Sequence, residues 1–214
     1  MLKNKKLFNS ILTLILTAAA TVWLGINFDF YYDLNDDVLI KDILSGAYAG
    51  SPSDMNIQMQ WLLSLGISSL YRIVPTIPWY GLMLLLFQMG SFFILVSGSL
   101  KIGDRIMKDE EQVVVTLLVK TLLGLSEMAF FISLMMKHLV NLQYTITVAL
   151  MSGAAVVWVL SGDETDSAGE FIKNNIPAVL IVFAAYLLRS EMLLLMLPYI
   201  CVAGIIKWSF ERFI

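Results

Sequence analysis

The sequence predicts an all-α, polytopic integral membrane bundle of about six spans, with two juxtamembrane helices in its first external loop. Three observations point there. Hydrophobic residues make up 58% of the 214 and charged residues 14%, with a mean hydropathy of +0.79; soluble domains run at roughly 45–50% and 25%. The apolar residues come in blocks of about 20, the length that crosses ~30 Å of hydrocarbon at 1.5 Å per residue. Lys and Arg are shared unevenly between the connecting segments. A net charge of −3 points away from nucleic acid, and the one cysteine, Cys201, sits in an apolar block as a packing residue.

The first span covers 7–28 and follows Lys3, Lys5 and Lys6. Ala18-Ala19-Ala20 has the look of a signal-peptide cleavage site, but the apolar run continues through Val22, Trp23, Leu24 and Ile26. That exceeds a signal core of about 7–15 residues, so the segment reads as a retained anchor. Residues 29–77 form the external loop. Asn35 is a fitting N-cap there, and Asp36 and Asp37 suit the positive end of a helix running to about Ala47. Gly46, Gly50 and Pro52 punctuate its end. A second helix is expected from Pro52–Asp54, with Asp54 favouring its first turn, to just before Pro75. Its apolar Ile57, Trp61, Leu62, Leu65 and Leu70 alternate with polar residues, as in a helix on the membrane surface or packed beside the bundle.

Pro78 opens the second span, 78–100, with Trp79 and Tyr80 as an aromatic belt. A charged connector, Lys101 to Glu111, leads to spans at 113–136 and 139–160, joined by a tight turn at Lys137-His138. After a polar loop from Asp163 to Asn175, the run from Ile176 to Phe210 is too long for one straight crossing. Arg189-Ser190-Glu191 divides it into spans at 176–189 and 191–210. With the N-terminus in the cytoplasm, the inner set of basic residues is Lys3, Lys5, Lys6, Lys101, Arg105, Lys108, Lys173, Lys207 and Arg212. The outer set is Lys41, Arg72, Lys137 and Arg189, with Lys120 inside a span. This bias toward the cytoplasm supports the orientation and a multi-pass place in the cell membrane, with membrane lipid as the surrounding partner.

Ionisable residues inside spans are the first candidates for function, since each costs about 2.5–3.5 kcal/mol on insertion scales. Lys120 and Glu127 lie seven apart on one face of the third span. Snorkelling to the cytoplasmic surface accounts for Lys120; Glu127 lies deeper, toward the outer half, as a packing-satisfied acid, an external-cavity acid, or a partner of Lys137 or Arg189. The external loop holds Asp29, Asp33, Asp36, Asp37, Asp42 and Asp54, for which helix capping and solvated membrane-edge positions are the plain explanations. The topology gathers Asp36, Asp37, Lys137, His138, Arg189 and Glu191 at the outer end. Carboxylates beside fixed cations suit deprotonation of a hydroxyl while a phosphate leaving group is held. Asp33, Asp36 and Asp37 are candidate ligands for a divalent cation, although no recognised metal spacing is present. Phosphate-loop, zinc and nucleophile-elbow motifs are absent from the sequence.

Tyr32-Asp33-Leu34-Asn35-Asp36-Asp37 after a first span, two juxtamembrane helices and a polytopic bundle resemble the GT-C class of membrane glycosyltransferases. Leu188-Arg189-Ser190-Glu191-Met192-Leu193 is similar to an Arg-x-Glu segment after a later span in that class. The resemblance implies a polyprenyl-phosphate-linked sugar donor, Asp36 or Asp37 as the catalytic carboxylate, and Asp33 and Glu127 in support. It also implies Arg189, Lys137 and His138 around the lipid phosphate. The chain has fewer spans than is usual in that class, as an N-terminal module of a longer protein would. The alternative class is a non-enzymatic membrane protein, such as a small transporter, flippase-like subunit or assembly partner, with Glu127 and Lys120 in a path or subunit contact. No internal repeat of the transporter kind is evident between the first three spans and the last three.

Single cysteines at Ser53 and Ser190 should react with an impermeant thiol reagent from outside the cell. A cysteine at Ser167 should react only after permeabilisation, and the reverse pattern would overturn the orientation.

Overall fold

The apolar blocks form helices, and the all-α class holds. The computed structural model describes residues 5–32, 36–107, 113–165 and 167–213, with side chains between 7 and 209 of these apart from 113. Helix α1 (Lys5–Asn27) leads to a two-residue strand β1 (Tyr31–Tyr32), then α2 (Asp36–Ser45), α3 (Trp61–Ile73) and α4 (Trp79–Ile106). Helix α5 (Val113–Phe130) passes through a π-helical turn (Phe131–Met135) into α6 (Met136–Val140). After β2 (Asn141–Leu142) come α7 (Tyr144–Ser161), α8 (Ala168–Asn174), α9 (Ile176–Leu188) and α10 (Ser190–Phe213). Five stretches are long and apolar enough to cross a membrane: Leu7–Asn27, Trp79–Ile106, Val114–Val140, Tyr144–Ser161 and Ser190–Ser209. The pair α8–α9, bent by 53°, is long and apolar enough only when the two helices are taken together.

Contacts at the helix ends give the relative directions of α1, α4, α7, α9 and α10. Asn9 near the start of α1 donates to Asp104 near the end of α4 (2.7 Å), so these two run antiparallel. Gln88 in the first half of α4 donates to Thr147 at the start of α7 (2.7 Å), and Arg105 donates to Leu160 O (3.2 Å), so α4 and α7 run parallel. The Trp158 indole N–H reaches Asn174 O (3.2 Å), while Arg189 reaches Thr145, so α9 runs against α7. Lys207 donates to Gly162 O (2.8 Å), which turns α10 back alongside α7. The two halves of 176–210 therefore form a hairpin, divided as expected at Arg189, whose backbone is extended (φ −158°, ψ 100°).

Several expectations are corrected. The helix after α2 begins at Trp61 rather than at Pro52–Asp54, because residues 51–60 are irregular and bent, held by contacts outside any helix. Gln60 N–H donates to Leu187 O (2.9 Å) and its amide to Ser190 Oγ (3.2 Å), while Asp54 accepts the Trp61 indole N–H (2.8 Å) instead of opening a helix. Helix α2 stops at Ser45, where Gly46 takes φ +87°; a Cβ there would come within 2.6 Å of Pro52 N. The second apolar helix continues past residue 100 to Ile106. Tyr80 is wholly buried rather than part of a belt, and Cys201 is exposed on the outside of α10. Lys137 and His138 are helical, since the π turn carries α5 into α6 and the chain reverses only at 141–143. Asn35, the expected cap, lies outside the described residues.

Packing divides into clusters. Ile40, Leu44, Ile67, Tyr71, Tyr80, Val148 and Leu188 join α2, α3, α4, α7 and α9; Ala20, Leu24, Phe92, Val96, Phe131 and Leu139 join α1, α4, the π turn and α6. Outward, Leu14, Ile15, Leu86, Leu118, Leu122, Leu180, Phe183, Leu194 and Leu195 are all exposed. Lys120 does not snorkel: it is 1% exposed, pairs with Asp104 (2.9 Å) and donates to Asn9 Oδ1 (2.7 Å). A paired charge of this kind resists removal of one partner far more than removal of both.

Asp104→Leu should therefore destabilise the detergent-solubilised protein by about 3 kcal/mol by stranding Lys120. Adding Lys120→Met should restore most of that; thermal unfolding measures both, and additive losses would contradict the pairing.

Candidate functional site

The two-residue strands are short, but they set the site. Tyr31 and Tyr32 pair in parallel with Asn141 and Leu142, which brings the start of α2 against the start of α7. Neighbouring residues on a helix point about 100° apart, so Asp36 and Asp37 face different surroundings. Asp37 is 2% exposed, and its Oδ1 accepts from the Tyr80 hydroxyl (2.6 Å) and the Tyr144 backbone N–H (3.1 Å). Tyr144 is the first residue of α7, so Asp37 satisfies one of the free N–H groups of that helix and meets the positive end of its dipole. Asp36 is exposed, and its Oδ2 accepts from the Tyr144 hydroxyl (2.9 Å).

Arg189, at the α9–α10 break, completes the group. Its guanidinium lies 4.7 Å from the centre of the Tyr144 ring, within cation–π range, and an Nη donates to Thr145 Oγ1. Its Nε is buried without a hydrogen-bond partner, and Glu191, largely exposed, sits 3.9 Å away. Such an exposed pair is weak, so the guanidinium keeps donor capacity for another anion. On the other side of Asp36 is a pocket of about 90 Å³ lined by Leu39, Ile43, Asn56 and Gln58 among others. Asn56 Oδ1 accepts from Gln58 N–H (3.3 Å), while its Nδ2 is buried and unpartnered.

A tyrosine cluster backs the carboxylates. Tyr32 stacks on Tyr80 (centroids 5.7 Å apart, 18° between planes), and Tyr80 N–H donates to the Tyr71 hydroxyl (3.2 Å). Burial, with the neighbouring Tyr71, pushes the Tyr32 hydroxyl up to about 12, and burial also raises Tyr71. Gly81 leaves space for this arrangement, since a Cβ there would lie 2.6 Å from the Tyr32 hydroxyl.

No family model, curated protein or solved structure matches the chain. The site must be read from its own residues. Of those singled out by sequence, the structure brings together Asp36, Asp37, Arg189 and Glu191. Lys137 and His138 lie in α6 at the same end, but no described contact joins them to Asp36 or Arg189. Glu127 sits apart, in a groove formed with Ser99 and Val157, and of the readings open to it, pairing with Lys137 or Arg189 is not made among the described residues. Asp33 lies outside the described residues. Among the described residues no three His, Cys, Asp or Glu side chains are grouped to hold a metal, and both Asp36 and Asp37 already accept tyrosine or backbone donors. Tyr144, Thr145 and Asn56 escaped sequence reading, and Tyr80 was read as a belt residue rather than as part of the site. The available signal for Tyr80 and Tyr144 was a tyrosine at the start of an apolar block, each two residues or fewer from a loop.

Tyr80→Phe should leave the fold intact but cost about 1–3 kcal/mol, by removing one donor from a buried carboxylate; chemical unfolding in detergent checks it. Tyr32 also links stability to pH. Its folded state holds the proton above the unfolded value of about 10, so this contribution is complete below pH ~10 and falls as pH rises toward about 12. Tyr32→Phe should flatten the unfolding-temperature profile across that window.

Proposed function

We propose that the chain is a multi-pass membrane protein whose Asp36 end carries a sugar-transfer site using a polyprenyl-phosphate-linked donor. The membrane reading is supported by the five long apolar helices, by the bent α8–α9 pair as a sixth pass, and by the large apolar side chains directed outward. The distribution of Lys and Arg supports a cytoplasmic N-terminus, which puts the Asp36 end outside.

The observation that carries the site reading is the arrangement of Asp36, Tyr144 and Arg189. A solvent-facing carboxylate and a guanidinium with spare donors are held by one tyrosine, through its hydroxyl and its ring respectively. In transfer, the acceptor hydroxyl gives its proton to Asp36 as its oxygen forms the new bond to the anomeric carbon. The bond from that carbon to the phosphate oxygen breaks, and its electron pair leaves with the polyprenyl phosphate, whose charge Arg189 meets. Asp36 then returns its proton to water. Asp37, buried and doubly hydrogen-bonded, is a positioning residue in this scheme, and Asp36 is the base.

Asp36→Asn in the full-length gene product should lower transfer from a polyprenyl-phosphate sugar by about 10²–10⁴-fold. Asp37→Asn should act mainly on thermal stability in detergent. Unchanged transfer in folded Asp36→Asn protein would remove Asp36 as the base, and no transfer by the wild-type protein would favour the non-enzymatic alternative.

A further inference from the structure

Helices α4 and α5 touch at two levels and part between them. At one level the Phe92 and Phe131 rings are 4.9 Å apart. At the other Gly103 lies so near α5 that a Cβ on it would come 2.7 Å from Leu123 Cδ1. Between these contacts is an open groove of about 310 Å³, with Ile102, Phe130 and Val157 among its apolar walls. Its floor is tight, since a Cβ at Gly98 would collide with Val157.

Into this groove come Glu127, Ser99 and Ser126. Glu127 is the fourteenth residue of the 27-residue stretch Val114–Val140, hence about 20 Å from either end. Among the described residues it has no hydrogen-bond or ion-pair partner. The Ser99 hydroxyl donates to Val96 O (3.0 Å) and the Ser126 hydroxyl to Leu123 O (2.7 Å), so both protons are committed to their own helix. The groove surface is otherwise almost wholly apolar, and Glu127 is the ionisable side chain in its lining.

We infer that this groove is a binding site for an alkylammonium group entering from the apolar surroundings of the bundle. An alkylammonium has a positive charge with donors for the unpaired acid and an apolar stem for the walls beside it. A hydrocarbon chain would leave Glu127 unpaired at mid-depth, where an ionised group is costly, and an alcohol would supply one donor and no charge. The volume is at the lower end of small-ligand sites, ~300–1,000 Å³, enough for an ammonium head and its stem. A lysine of a partner membrane helix and a long-chain primary amine share this chemistry. The inference rests on the membrane reading of Val114–Val140 and is independent of sugar transfer.

The test uses the full chain in phosphatidylcholine vesicles and a long-chain primary amine with a photoreactive diazirine near its head, beside the matching alcohol. The amine should label peptides of α4 and α5, and Glu127→Gln should lower that labelling by about tenfold, one charge-assisted contact of ~1.4 kcal/mol. Glu127→Asp should retain most of it, and the alcohol should stay near background. Competition by a leucine-rich synthetic helix with one central lysine, beyond that of its all-leucine counterpart, assigns the site to a partner's side chain. Equal competition by the two assigns it to a free amine. Labelling unchanged in Glu127→Gln, or equal labelling by the alcohol, overturns the inference and leaves an apolar groove. Release of the wild-type chain from the vesicles by alkaline carbonate would instead overturn the membrane reading, and is scored before labelling.

Discussion

The Asp37 carboxylate is the constraint on which the candidate site depends. One oxygen receives both the Tyr80 hydroxyl, from the first turn of α4, and the Tyr144 N–H, from the first residue of α7. Three segments far apart in the chain are thereby tied at one point. A buried carboxylate demands such donors, because leaving it without them is expensive. With Asp37 held, helical geometry turns Asp36 outward to the Tyr144 hydroxyl. The Tyr144 ring then supports Arg189 from yet another segment. Two acids adjacent in sequence thus have different tasks.

The opposite end of the bundle uses its charges differently. Arg105 donates to the carbonyls of Leu160, Ser161 and Gly162, and Lys207 also donates to Gly162 O. These are carbonyls at the end of α7, which lack partners within the helix and carry its negative dipole end. Two cations there therefore hold α4 and α10 to α7. Lys120, Asp104 and Asn9 do the same for α5, α4 and α1. Residues that enter an orientation argument as charges serve in the fold as donors. Glu127, by contrast, has no such partner among the described residues.

Much of the architecture was legible in the sequence because it follows from chain-local physics. Apolar block length marks the long helices, and Asp36-Asp37 mark a helix start. The polar Arg189-Ser190-Glu191 triplet marks the break in the last apolar run. Errors fell where distant partners overrode local preference. Residues 52–60 carry helix-start signals, yet Gln60 is drawn to Leu187 and Ser190, and Asp54 to Trp61. Lys137-His138 looked like a turn because it is polar between apolar runs, but the π turn after Phe130 extends the helix beyond it.

The sequence alone determined that this is an all-α chain with helices of membrane-spanning length, and that acids and bases would gather at one bundle end, since alternating passes bring together the loops flanking them. Only tertiary structure decided which of those groups meet. A difference of about 100° between Asp36 and Asp37, the placing of Tyr144 between Asp36 and Arg189, and the separation of Glu127 from all three depend on helix rotation and close packing. Those are settled by side chains from distant segments, and composition and spacing do not record them.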